Sequence, residues 1–355
     1  MPIMTIKSSG GSYSVTRCDD FAMALEKGVG GRNTFFIVDE KLFGLPYRKS
    51  LDGLDGSRVI SLPAKETQKS FEQLTEVFLK LLEMGLRKDC ELLCIGGGII
   101  QDIGCFISSV LFRGMAWRYI PTTFLAQCDS CIGSKSSINI GRFKNQIGTF
   151  HAPAEVLLVP EVLETLTPDD IRSGMGEAIK LHLLDGEVSF RKLQQELSSE
   201  SLTTETLGEI AWRSLEIKKG YIEMDEFDQG RRNLLNYGHT FGHAYESASH
   251  YAIPHGIAVS LGMATATFIS ARLGLVPQSH YNEIREILAP WHTPYEKITQ
   301  ALDIASVLSA MRMDKKNTLG KVNCILTRGM GQMEKQPVDP NLTMPALLSE
   351  FQAQL

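Results

Sequence analysis

Along the first 160 residues, short apolar runs alternate with longer stretches in which apolar residues recur every three or four positions. TFFIVD (34–39), SRVISLP (57–63), LLCIGGG (92–98), WRYIPTT (117–123) and EVLLVP (155–160) are rich in β-branched and aromatic residues and read as buried strands. Between the second and third lies SFEQLTEVFLKLLEMGL (70–86), whose spacing predicts a helix. Strand–helix–strand alternation calls for a mostly parallel sheet covered by helices. After Pro160 the period becomes helical. TPDDIRSGMGEAIKLHLL (167–184) opens with Thr167 as an N-cap and Pro168 in the first turn. Further helices are expected near 202–224, 232–250, 256–274, 280–290 and 298–312, followed by one late β-like run, KVNCILT (321–327). The predicted fold class is α/β: an N-terminal parallel-sheet domain of nucleotide type over 1–160, then a mainly α-helical domain over 161–355.

Composition narrows the possible partners. A chain of 355 residues is too long for one minimal core and suits two domains. The net charge of −5 provides no basic field for nucleic acid, so an anionic ligand must be held by a local cluster of Lys and Arg. No apolar run reaches the length of a membrane span, and MPIMTIKSSGGSYSV lacks the basic start and apolar stretch of an export signal. A cytoplasmic protein is expected, with its seven cysteines as reduced thiols. Cys128 and Cys131 form CDSC, which reads as two packing residues, because no second pair accompanies it.

Two stretches carry candidate chemistry. CIGGGIIQDIGCF (94–106) sets three glycines between a strand and a helix, where a backbone can approach a pyrophosphate and meet free N–H groups. The spacing is not GxGxxG, and such a turn alone is more often just a tight connection, with Asp102 equally a partner of the helix dipole. NYGHTFGHAYESASHYAIPHG (236–256) holds four of the chain's eight histidines, His239, His243, His250 and His255. The HTFGH pair has the four-residue spacing of a zincin helix but lacks its glutamate. These residues alone leave a metal site and structural histidines both open.

Four further motifs occur in order: FRGMAWRYIPTTFLAQCDSCIGSKSSINIGRFKNQIGTF (112–150), RSGMGEAIK (172–180), RRNLLNYGHTFGHA (231–244) and HG (255–256). Together they resemble the dehydroquinate synthase family, the sugar phosphate cyclases, from about residue 35 to 327. The resemblance implies a Rossmann-like domain that binds NAD, a helical domain that binds a divalent metal (zinc or cobalt), and a homodimer. It places the metal ligands at Glu177, His239 and His255. It places Lys135 and Lys180 beside the reacting carbons, and Lys218 and Arg232 on a substrate carboxylate. Asn145, Asn236, His243 and Lys316 fall around the substrate phosphate, and Arg113 reaches across the dimer interface. Asp39, Glu66, Lys69, Gly97, Gly98, Asp102, Thr122, Thr123, Asp129 and Lys144 match NAD contacts. The implied reaction turns a seven-carbon keto-acid sugar phosphate into a carbocycle and free phosphate, with NAD restored in each turnover.

Several positions depart from the family's usual pattern. Gln101 and Ser134 stand where glycine is common, Ser137 follows in GSKSSIN where GGKT is usual, and Gly176 replaces an alanine. Ile257 stands after His255-Gly256 where a glutamate is the norm, which removes an expected hydrogen-bond acceptor for a metal ligand. These departures leave open a cyclase for sedoheptulose 7-phosphate or glucose 6-phosphate. Arg232 with Lys218 and Asn236 argues for a carboxylated substrate. A metal-dependent alcohol or glycerol dehydrogenase shares the two-domain plan but has no use for those cations.

Overall fold

The computed structural model describes residues 2–30, 33–141, 143–198, 202–313, 321–341 and 343–355. It opens with a hairpin that the apolar pattern does not announce, β1 (Ile3–Ser8) against β2 (Gly11–Arg17) in antiparallel register. Helix α1 (Phe21–Val29) follows, its N-cap Asp20 accepting from the Met23 N–H at 2.7 Å. In β3 (Thr34–Asp39) all six residues are buried. Phe36 and Val38 enter the core on one sheet face, and Phe35 and Ile37 enter the core on the other. That two-sided burial is why TFFIVD is a continuous apolar run rather than an alternating one.

Next come β4 (Val59–Leu62), α2 (Phe71–Glu83), β5 (Glu91–Gly96), α3 (Gly98–Val110) and β6 (Trp117–Pro121). Leu74, Val77 and Leu81 form the buried stripe of α2. A small hairpin, β7 (Ile138–Ile140) with β8 (Phe143–Ile147), precedes β9 (Glu155–Leu158). The seven-stranded sheet runs β1-β2-β9-β6-β5-β3-β4, parallel at every pairing except β1–β2. All five expected strands are present, and the Rossmann-like reading of this half holds.

Three helices follow β9: α4 (Pro168–Asp185), α5 (Glu187–Leu197) and α6 (Thr204–Met224). Thr167 and Asp170 complete a capping box at the start of α4. A single cut near residue 160 does not describe the chain, however. One compact unit comprises Met1–Leu166 with Thr203–Asp228, and the other Thr167–Leu202 with Gln229–Leu355. The reason lies in α6, whose Leu215 and Ile222 complete the apolar core that contains Ile37, Trp117 and Tyr119.

The second unit adds α7 (His239–Ala248), α8 (His255–Arg272), α9 (Gln278–His292) and α10 (Ile304–Arg312). A hairpin of β10 (Val322–Thr327) and β11 (Met333–Val338) joins them. The helix expected over 232–250 is interrupted: a 3₁₀ turn, Arg231–Asn236, gives way to Gly238 at φ 81°, and α7 starts at His239. The helix expected over 298–312 is likewise two pieces, with Asp303 capping the second.

Buried from Gly256 to Ser270, α8 is the central helix of the unit. Its neighbours approach closely because glycines face one another. A Cβ at Gly176 would fall on the Gly256 carbonyl, and one at Gly262 on the Gly238 carbonyl. Among the described residues, no helix is long and apolar enough to cross a membrane.

Candidate functional site

Strand order fixes where the first unit can hold a ligand. From β3 the chain steps outward to β4, then returns to the other side of β3 to lay down β5, β6 and β9. The direction therefore reverses between β3 and β5, and crevices form at the carboxyl ends of strands at such a point. Asp39 ends β3, and Gly96 ends β5, so close that a Cβ on Gly96 would lie 3.2 Å from the Asp39 Cβ. Gly97 is the N-cap of α3, with no side chain capping that terminus and no carboxylate in its first turn. The open N–H groups make this end of α3 suited to an anion. A Cβ at Gly97 would meet Thr123 at 2.8 Å, so this turn requires glycine. Thr122 is tied to the same turn through its N–H to the Gly96 carbonyl, 2.9 Å.

Beside this turn lies a polar network. Lys69 donates to Asp102 at 2.9 Å and to Asn145 Oδ1 at 3.0 Å. Glu66 faces Lys69 at 3.7 Å and Lys144 at 3.5 Å, and accepts from Asn139 at 2.9 Å. Burial works against the Lys69 ammonium, but Asp102 and Glu66 outweigh it and raise its pKa. Burial raises the Asp102 and Asp39 carboxyls. The network gathers Glu66, Lys69, Asp102, Lys144 and Asn145 beside the glycine turn.

Asp129 lies in a π-helical turn, Ala126–Ser130, and engages Lys218 of α6 through its carboxylate and, at 2.7 Å, through its carbonyl. Lys135 pairs with Asp228 at 2.6 Å, its ammonium 5.8 Å from the Phe150 ring. Arg113 is exposed at φ 63°. Cys128 and Cys131 are buried free thiols, as packing residues should be.

In the second unit, α4, α7 and α8 each bring one end of a cluster. Glu177, 1% exposed, sits where α4 meets the start of α8. Its Oε1 lies 3.5 Å from His239 Nε2 and 3.2 Å from His255 Nε2. Its Oε2 pairs with the buried Lys180. Burial would raise the Glu177 pKa, but Lys180 and His255 hold it well below the usual carboxylate range. His243 stands one turn along α7 from His239, and the ligand nitrogens of His239, His243 and His255 all lie within 4.8 Å of one another. Burial opposes a charge on His255, yet Glu246 and Glu177 push its pKa up to about 10.

Arg232 is 4% exposed in the turn that leads to α7. In the same turn Asn236 donates to the Asn233 carbonyl at 2.9 Å. His250 is exposed at φ 52°. Lys316 lies outside the described residues.

Three contacts were not anticipated from the sequence. Glu246 accepts from His255 Nδ1 at 3.1 Å, a carboxylate on this imidazole although Ile257 offers none. Asp228 partners Lys135, and Asn139 links Glu66 to the Asn145 N–H. A signal existed for Glu246: it lies seven residues after His239 and three after His243, on one face of a helix.

The arrangement matches known proteins along most of its length. Residues 59–173 match the family described as 3-dehydroquinate synthase N-terminal, and residues 174–317 match 3-dehydroquinate synthase C-terminal. A 3-dehydroquinate synthase of Clostridium botulinum (strain Alaska E43 / Type E3) is 33% identical over 320 residues, 88% of this chain and 90% of that one. One from Acidithiobacillus ferrooxidans (strain ATCC 53993 / BNL-5-31) is 36% identical over 88% of this chain and 85% of its own. In fold, the chain is similar to a 2-deoxy-scyllo-inosose synthase solved with carbaglucose-6-phosphate, NAD+ and Co2+. That likeness has a TM-score of 0.83 at 20% identity and covers 98% of this chain and 100% of that one. With both family domains in order and a third of its residues identical to curated relatives, the chain belongs to the 3-dehydroquinate synthase family.

Proposed function

We propose that this chain is a sugar phosphate cyclase of the 3-dehydroquinate synthase type, a lyase that closes a seven-carbon keto-acid sugar phosphate into a carbocycle with elimination of phosphate. The observation that carries this reading is the convergence of two imidazole Nε2 atoms, from His239 and His255, on one carboxylate oxygen of Glu177. Two imidazoles and a carboxylate suit zinc or cobalt and leave positions for water and a substrate oxygen. In the other unit, the open end of α3 suits a pyrophosphate and Asp39 a ribose hydroxyl. When bound, NAD supplies a hydride acceptor that is reoxidised within the turnover, and the cation supplies Lewis acidity toward a substrate hydroxyl.

The remaining work falls to side chains. Glu66, Lys69, Asp102, Thr122, Thr123, Asp129 and Lys144 hold the dinucleotide around Gly97 and Gly98. Lys180, fixed by its pairing with Glu177, keeps an ammonium where negative charge develops on the substrate, and Lys135 does the same from its loop. The planar fork of Arg232 grips the substrate carboxylate, and Lys218 adds charge at that end. Asn145, Asn236, His243 and Lys316 orient the phosphate; holding both anionic ends at once is catalysis by positioning. The protein works as a homodimer in which Arg113 reaches the partner's site.

The rival cyclase reading, with a neutral C6 or C7 sugar phosphate, differs in what Arg232 does. A panel of such phosphates, scored by phosphate release, separates them. The keto-acid substrate should turn over, and Arg232→Ala should lower its kcat/KM by about a hundredfold. Turnover of a neutral sugar phosphate alone, or an equal loss with both substrates, would refute the carboxylate grip.

A further inference from the structure

We infer that Glu246 is a positioning residue for the metal site, orienting His255 in place of the acceptor that Ile257 does not provide; this rests on the metal-binding reading above. His255 is the first residue of α8, and its side chain is 38% exposed, so packing alone does not lock its ring. Glu246 Oε2 meets its Nδ1 at 3.1 Å, and the Glu246 side chain is only 14% exposed. An ionised carboxylate can only accept, so Nδ1–H donates to Glu246, and Nε2 is the nitrogen left for a cation, which would displace any proton it carries. Nε2 lies 3.2 Å from Glu177 Oε1, where a cation would be held.

The two imidazoles are oriented by different means. His239 Nδ1 has the Tyr237 carbonyl at 3.3 Å, which no side-chain substitution removes. His255 depends on a side chain from another helix. Because Glu246 shares a face of α7 with His239 and His243, one helix carries one imidazole and the group that aims the other. Ile257 is fully buried, and its aliphatic side chain cannot accept a hydrogen bond.

The test is zinc affinity of the full chain after chelator treatment, measured by competition with a metal-binding dye. Glu246→Ala should weaken zinc binding by about tenfold to a hundredfold. Glu246→Gln, whose amide oxygen still accepts, should lose less, and it carries the test if the alanine variant does not fold. In a His255→Ala background, Glu246→Ala should add no further loss, which a general packing defect would not reproduce. Unchanged affinity in Glu246→Ala, or an equal loss in both backgrounds, would overturn the inference and leave the metal reading standing. A native chain that binds neither zinc nor cobalt would overturn both.

Discussion

At the scale of single residues, the backbone next to Lys135 carries an avoidable cost. Ser134 holds φ 64°, and its buried hydroxyl has no hydrogen-bond partner among the described residues. A side chain in the left-handed region costs about 1–2 kcal/mol and an unsatisfied buried hydroxyl about 1–3, partly offset by glycine's greater freedom when unfolded. Ser134→Gly should therefore raise stability by about 1 kcal/mol, read as a higher urea midpoint; a lower midpoint would mean that the serine makes a contact worth more than its strain. Residue roles were the least legible part of the sequence. Glu177, His239 and His255 come from three helices, and no local spacing brings them together; the resemblance alone named them. Glu246 shares a helical face with His239 and His243, but its partner His255 lies on the next helix, so the offset alone does not name the contact. Gln101, which looked like an intrusion into the glycine turn, proves to be stitched to Ser130 by two hydrogen bonds, at 2.5 and 2.6 Å.

Elements were more legible wherever burial left a simple pattern. Of the five strands expected, β3, β5, β6 and β9 are almost wholly buried, and β4 is a half-buried edge strand; β1 and β2 were not expected, since GSYSVTR mixes polar residues through a hairpin at the other edge. Helix ends failed where the determinant was close packing rather than periodicity, as at Gly238. That packing can be tested. Gly176→Ala would drive a methyl into the Gly256 carbonyl, part α4 from α8, and cost about 1–3 kcal/mol together with zinc affinity. Gly220, inside α6, has nothing within 4 Å of an added Cβ, so Gly220→Ala should instead stabilise by about 0.5–1 kcal/mol. Thermal unfolding of the two variants should move in opposite directions; a shared direction would mean that helix propensity alone governs both. At the end of α9, His292 is 1% exposed, and burial, with Arg285 nearby, lowers its pKa to about 4 from 6.5. Between those values the unfolded chain binds the extra proton, so stability falls as pH drops from about 6.5 toward 4, by up to about 3 kcal/mol. Trp291, alone among the three tryptophans in lying in this unit, should report the loss by fluorescence, and His292→Gln should flatten it. An equally steep acid limb in the variant would assign the loss to other groups.

For the whole molecule, the sequence showed two kinds of periodicity but not how the chain divides them. An amphipathic helix advertises an apolar face without naming the core that will cover it, which is why α6 returns to the first unit unannounced. Each unit supplies one half of the proposed chemistry: the first carries Asp39, Gly97 and Gly98 for a dinucleotide, and the second carries Glu177, His239 and His255 for a cation. A dehydrogenase could use both halves as well, but it would accumulate reduced nicotinamide. The central claim is that oxidation and reduction cancel within one turnover while phosphate leaves. The most direct measurement follows phosphate release and nicotinamide absorbance together, with the zinc- or cobalt-loaded enzyme, NAD and the keto-acid sugar phosphate. Phosphate should accumulate over many turnovers with no net NADH, whereas NADH formed in proportion to substrate without phosphate would contradict the account.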